Sequence, residues 1–94
     1  MSALVNILLV TQDGCSPCKR IKRIVEESKN EIPSMQIKEV KFSSVEGMKL
    51  ASEYQILFPP AVFIDGQLFG KGKIGEEDLK NGLRRAVTPN GTMK

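Results

Sequence analysis

Cys15-Ser16-Pro17-Cys18 is the part of this sequence best equipped for chemistry. Two thiols three residues apart lie one turn from each other on the same face of a helix. Such a pair interconverts between a dithiol and a small-loop disulfide. Where it opens a helix, the unpaired N–H groups of the first turn and the positive end of the dipole face the first sulfur and favour its thiolate. A free cysteine has a pKa of about 8.5, which helix N-termini and neighbouring cations lower. Lys19 and Lys22 are the neighbouring cations here, and Cys15 is accordingly the expected nucleophile. Cys18, one turn deeper, is the expected resolving thiol, attacking a mixed disulfide at Cys15 and releasing reduced substrate. Pro17 lacks an N–H, which costs nothing in a first helical turn, and its fixed φ helps hold the sulfurs in one geometry. Pro17 and Lys19 are therefore read as supporting residues.

A second element is Pro59-Pro60, directly before an apolar run. An X-Pro bond goes cis far more readily than any other, and a cis bond at Pro60 is expected to present backbone beside the sulfurs. Phe58 is expected to border the substrate groove there, with Ala61 beside it.

The elements that must position these groups follow from periodicity. Leu4 to Val10 is a nearly continuous apolar run, the pattern of a strand covered on both faces. After a turn-rich stretch, Cys18, Ile21, Ile24 and Val25 recur at helical spacing, predicting a helix from about Pro17 to Asn30. Met35 to Ser43 alternates apolar and charged residues with a phase shift between Ile37 and Val40, which reads as a bulged edge strand. Ser43 or Ser44 caps a second helix ending near Gln55, with Val45, Met48, Ala51 and Tyr54 or Leu50 as its apolar stripe. Ala61 to Ile64, Asp65-Gly66 and Gln67 to Phe69 form a hairpin signal. Gly70 to Gly75 reads as a flexible basic loop. Glu76-Glu77-Asp78 start a last helix that turns Leu79, Leu83 and Ala86 inward. The order is β-α-β-α-β-β-α in one α/β domain over residues 1–87, with 88–94 as a flexible tail.

Composition narrows the function class. Ninety-four residues suit one domain, and 40% hydrophobic with 27% charged residues fits a folded chain. A net charge of +3 is too mild to argue for nucleic acid. No apolar run approaches the ~20 residues a bilayer demands, so no membrane association is expected. One small-loop disulfide is a poor framework for a secreted domain, and the reading is cytoplasmic. Closed zinc sites need more ligands than two cysteines and no histidine supply. The expectation is no metal and no resident cofactor. The alternative to an enzyme is a non-catalytic binding module using the groove beside Pro60, or a dimer bridging a metal or iron-sulfur cluster through the cysteines.

Cys15-Ser-Pro-Cys18-Lys19 after a strand, followed by Pro60-Ala-Val-Phe-Ile-Asp-Gly66 at a hairpin, resembles the thioredoxin and glutaredoxin family, from about Leu4 to Ala86. The resemblance implies a minimal thioredoxin fold with a four-stranded mixed sheet in the order 2-1-3-4. It places the first and third helices on one face and the second on the other. It implies a dithiol-disulfide oxidoreductase acting on disulfides of proteins or small thiols. A reductase or glutathione would be the electron donor. By the same resemblance, Pro60 packs against the active-site disulfide and Pro59 helps hold substrate backbone. The chain departs from the family at Gly14, where thioredoxins carry tryptophan, and at Leu9, where they carry a buried aspartate. In place of the glutaredoxin Gly-Gly-acidic sequence it has Phe69-Gly70-Lys71-Gly72-Lys73.

Overall fold

β1 (Val5–Thr11) is one of two inner strands of the sheet, in a computed structural model that describes residues 4–87. The tail expected over residues 88–94 lies outside the described residues. After β1 come α1 (Ser16–Glu31), β2 (Met35–Lys41), α2 (Val45–Tyr54), β3 (Ala61–Ile64), β4 (Gln67–Lys71) and α3 (Glu76–Val87). The strand order is β2-β1-β3-β4. β2 is parallel to β1 across the α1 crossover, whereas β3 and β4 run antiparallel to their neighbours. This is the mixed 2-1-3-4 sheet of the thioredoxin fold.

The uninterrupted apolar run of β1 reflects two separate cores. Val5, Ile7 and Leu9 point to the face covered by α1 and α3, where they meet Ile21, Ile24, Val25, Leu79 and Leu83. Leu8 and Val10 point to the other face, with Phe63, Ala61, Leu50 and Ala51. A strand with side chains alternating between two covered faces has no polar face to display.

The same geometry removes the bulge expected in β2. Its register against β1 is unbroken from Val5↔Met35 to Thr11↔Lys41. Met35 and Ile37 serve the first core and Val40 the second, so the phase shift marks apolar residues on both faces. The irregularity in this sheet lies instead between Val62 and Phe63, in the β3–β4 pairing. At the hairpin tip, Asp65 (φ 50°) and Gly66 (φ 84°) both adopt positive φ, as a two-residue turn of the I′ kind requires.

α2 also differs from its expected stripe. Ser44 is the N-cap, its hydroxyl accepting from the Gly47 amide at 3.0 Å. Yet Val45 is 81% and Met48 55% exposed, while Gly47 is buried and Leu50 and Ala51 pack on the second core. Spacing alone permits either stripe, and the close approach at Gly47 selects this one. The expected flexible loop at Gly70–Gly75 is partly strand and partly anchored. Lys71 donates to the Tyr54 and Gln55 carbonyl oxygens at the end of α2, and Ile74 is buried in the first core. Among the described residues, no helix is long and apolar enough to cross a membrane.

Candidate active site

The turn from β1 into α1 places Cys15 at the N-cap of the helix, in extended conformation, with Pro17 in the first turn. Gly14 before it has φ 76°, a left-handed conformation that side chains disfavour. Cys15 and Cys18 are joined as a disulfide with Cα atoms 5.2 Å apart. The Cys18 amide donates to Cys15 Sγ at 3.1 Å. That donor, with the helix dipole behind it, is worth more to a thiolate than to a thiol. Cys15 is half-buried and Cys18 is 2% exposed, so an incoming disulfide meets Cys15 first.

The Pro59–Pro60 bond is cis and Pro60 is fully buried. Its carbonyl oxygen accepts from the Gly72 amide at 2.7 Å, which ties the residues before β3 to those after β4. A groove of about 540 Å³ runs beside the helix start, lined by Pro17, Arg20, Phe58, Pro59, Pro60 and Lys73 among others. Phe58, 61% exposed, forms part of its wall. Among the residues singled out from sequence, Pro17, Phe58, Pro59 and Pro60 are thus brought together. Ala61 is not: its side chain is fully buried in the second core, because the first residue of β3 points away from the groove. Lys19 is exposed on the outer side of the first turn, its amide donating to the Cys15 carbonyl oxygen at 3.2 Å.

Lys22 requires a correction. Its ammonium lies 3.1 Å from Glu39 on β2, so its charge is engaged by a carboxylate rather than offered to Cys15. Glu39 also accepts from the Thr11 hydroxyl and lies 3.6 Å from Lys41, which in turn pairs with Asp13 at 3.0 Å. This network ties the last residue of β1 to β2 and to the turn that precedes Cys15. It was missed in sequence because Glu39 reads as an ordinary outward residue of an alternating strand. Parity was the available signal, since Met35, Ile37 and Glu39 share the α1 face.

The Thr11 hydrogen bond, followed by the Lys22 contact, holds the Glu39 carboxyl below its ordinary value of 4.5. A carboxyl with a depressed native pKa stabilises the fold fully above its unfolded pKa, and loses that contribution as the pH falls through the native value. Glu39→Gln is therefore expected to lower the urea midpoint at pH 7 by an amount worth about 1 kcal/mol. The two midpoints should converge on acidification below pH 4.5. A difference that stays constant down to pH ~2 would show that the charge of Glu39 contributes nothing.

Comparison with known proteins agrees with this geometry. A family model described as a thioredoxin domain matches residues 5–83. The chain is 34% identical over 84 residues to a thioredoxin of Methanocaldococcus jannaschii, covering 88% of this chain and 96% of that protein. In fold it is similar to oxidised thioredoxin O1 of Arabidopsis thaliana, with a TM-score of 0.70 at 20% identity over 90% of this chain and 79% of that one. It is also similar to Fasciola hepatica thioredoxin, with a TM-score of 0.65 at 20% identity over 90% and 83% of the respective chains.

Proposed function

The chain belongs to the thioredoxin family and is a thiol-disulfide oxidoreductase, and on that premise we propose that it reduces disulfides of proteins and small thiols in the cytoplasm through Cys15 and Cys18. The observation that carries this reading is the position of Cys15 at the N-cap of α1, its sulfur accepting the Cys18 amide and the second sulfur one turn away.

In the reduced protein the Cys15 thiolate attacks one sulfur of the substrate disulfide. A Cys15–substrate bond forms, the substrate S–S bond breaks, and the first substrate sulfur leaves as thiolate and takes a proton from water. Cys18 then gives up its proton and attacks Cys15 Sγ. The intramolecular disulfide forms and the second substrate thiol departs. Two electrons have passed from the cysteine pair to the substrate, with one proton from Cys18 and one from water, and an external donor must restore the reduced pair. Pro17 and the buried Pro60 hold the two sides of the groove at which this exchange occurs, and Phe58 and Pro59 meet the substrate.

The donor is a dedicated reductase or glutathione. Equilibrating the protein in glutathione redox buffers, alkylating, and reading the mass of each state tests the pair directly. Cycling as one intramolecular disulfide, with turnover sustained by either a flavoprotein reductase pair or a glutathione system, is the expected result. Thiols that stay reduced across the range, with no turnover under either donor, would overturn it.

A further inference from the structure

The groove beside the sulfurs has an unusual donor inventory. Pro17, Pro59 and Pro60 have no N–H to offer, and the Gly72 amide is already committed to the Pro60 carbonyl. What the wall does supply is apolar surface, chiefly from Phe58, Pro17 and Pro59, together with the Ser16 side chain and two cationic side chains, Arg20 and Lys73. No carboxylate lines it. Arg20 is held in place by donating from Nη2 to the Ile74 carbonyl oxygen at 3.1 Å, which leaves other guanidinium N–H groups for a ligand. Lys73 is exposed and has no carboxylate within 4 Å among the described residues. Asp13, the acidic residue in the turn before Cys15, is paired with Lys41.

From this charge pattern we propose that the groove selects disulfides in polypeptide segments that carry an acidic residue next to an apolar one. The apolar side chain lies against Phe58 and the prolines, and the carboxylate meets Lys73 and Arg20. An extended segment suits the groove better than a small carboxylate ligand. Three of the lining positions are prolines with no backbone N–H, so charge alone holds a compact anion less well than charge combined with the apolar contact area that a polypeptide provides. The proposal rests on the oxidoreductase reading and adds to it the class of substrate.

The test uses the full reduced chain and three disulfide-bonded peptides that differ at one position beside an apolar residue, carrying Glu, Gln or Lys. A neutral small disulfide and glutathione disulfide are run alongside. The Glu peptide is expected to react roughly tenfold faster than the Lys peptide in dilute buffer, with the ratio falling towards one in high salt. Lys73→Glu should invert the order of the peptides. Lys29→Glu makes the same change in net charge in the last turn of α1, ~14 Å along the helix from Arg20, and should shift the ratio far less. Equal rates for all three peptides, with the neutral disulfide still reduced, would overturn the selectivity and leave the oxidoreductase reading standing. Glutathione disulfide outpacing every peptide would overturn the choice of a polypeptide substrate. Failure to reduce any of the five disulfides would remove the underlying reading itself.

Discussion

Cys15→Ser is expected to bring disulfide-reducing turnover down by at least about a thousandfold, because a serine hydroxyl at neutral pH offers neither the charge nor the nucleophilicity of a thiolate. Cys18→Ser should also fail to turn over, but in a different way. Its Cys15 still lies at the helix N-cap with the backbone amide of residue 18 directed at its sulfur, so the first exchange proceeds and the second cannot. Mass spectrometry after incubation with a disulfide peptide should find the Cys18→Ser chain carrying one covalently bound peptide thiol that dithiothreitol removes. The Cys15→Ser chain should carry none. The asymmetry has a structural source, since Cys15 is half-buried whereas Cys18 has almost no exposed surface. Equal trapping by both variants would show that the sulfurs are interchangeable and would sink the assignment of roles.

The order of elements was legible because each left a periodicity matched to its burial. β1 is apolar throughout because it has two cores to fill, α1 is amphipathic because one side faces solvent, and Asp65-Gly66 supplies the positive φ values its turn needs. The cysteine pair and the proline pair stood out as types and spacings that packing alone does not call for. The order of the strands came from resemblance to a family, since nothing in periodicity says which strand lies beside which. What misled was face assignment. A charged residue on an alternating strand reads as solvent-facing, yet Glu39 turns towards α1 and meets Thr11 and Lys22. A basic glycine-containing stretch reads as a loose loop, yet Ile74 within it is a core residue. These contacts join residues far apart in the chain, and no local pattern encodes them.

The departures from the family also acquire physical content. Gly14 precedes the first active cysteine with a φ of 76°, so a residue with a large side chain there would have to adopt a different turn. Leu9 is fully buried among the apolar residues of the first core. The polar group that does reach the sheet beneath the N-terminal half of α1 is Glu39, the register partner of Leu9 on β2, which meets Lys22 and Thr11. A chain of ion pairs through Lys22, Glu39 and Lys41 thus runs from α1 across β2 to Asp13 in the turn before Cys15.

Gly47→Ala should destabilise the fold strongly, against what helix propensity alone implies. Alanine is favoured over glycine by about 1 kcal/mol within a helix, and Gly47 lies in the first turn of α2. A Cβ at this position, however, would run into the Lys41 carbonyl oxygen and sit 2.9 Å from that of Phe42. Those atoms have little freedom to retreat. The Lys41 carbonyl accepts from the Ser44 amide and hydroxyl, and the Phe42 amide donates to the Thr11 carbonyl oxygen at 2.6 Å, so both belong to the end of the β1–β2 pair. Overpacking against fixed backbone costs about 3 kcal/mol, leaving roughly 2 kcal/mol net after the propensity gain. For a domain of this size that lowers Tm by about 10 °C. Gly82→Ala provides the contrast, because the Cβ there would meet the outer edge of the Phe69 ring, which is 37% exposed and has room to swing aside. Its Tm should stay within a few degrees of the parent. If Gly47→Ala melts at or above the parent temperature, the close packing of α2 against the end of β2 is not what holds the helix on the sheet.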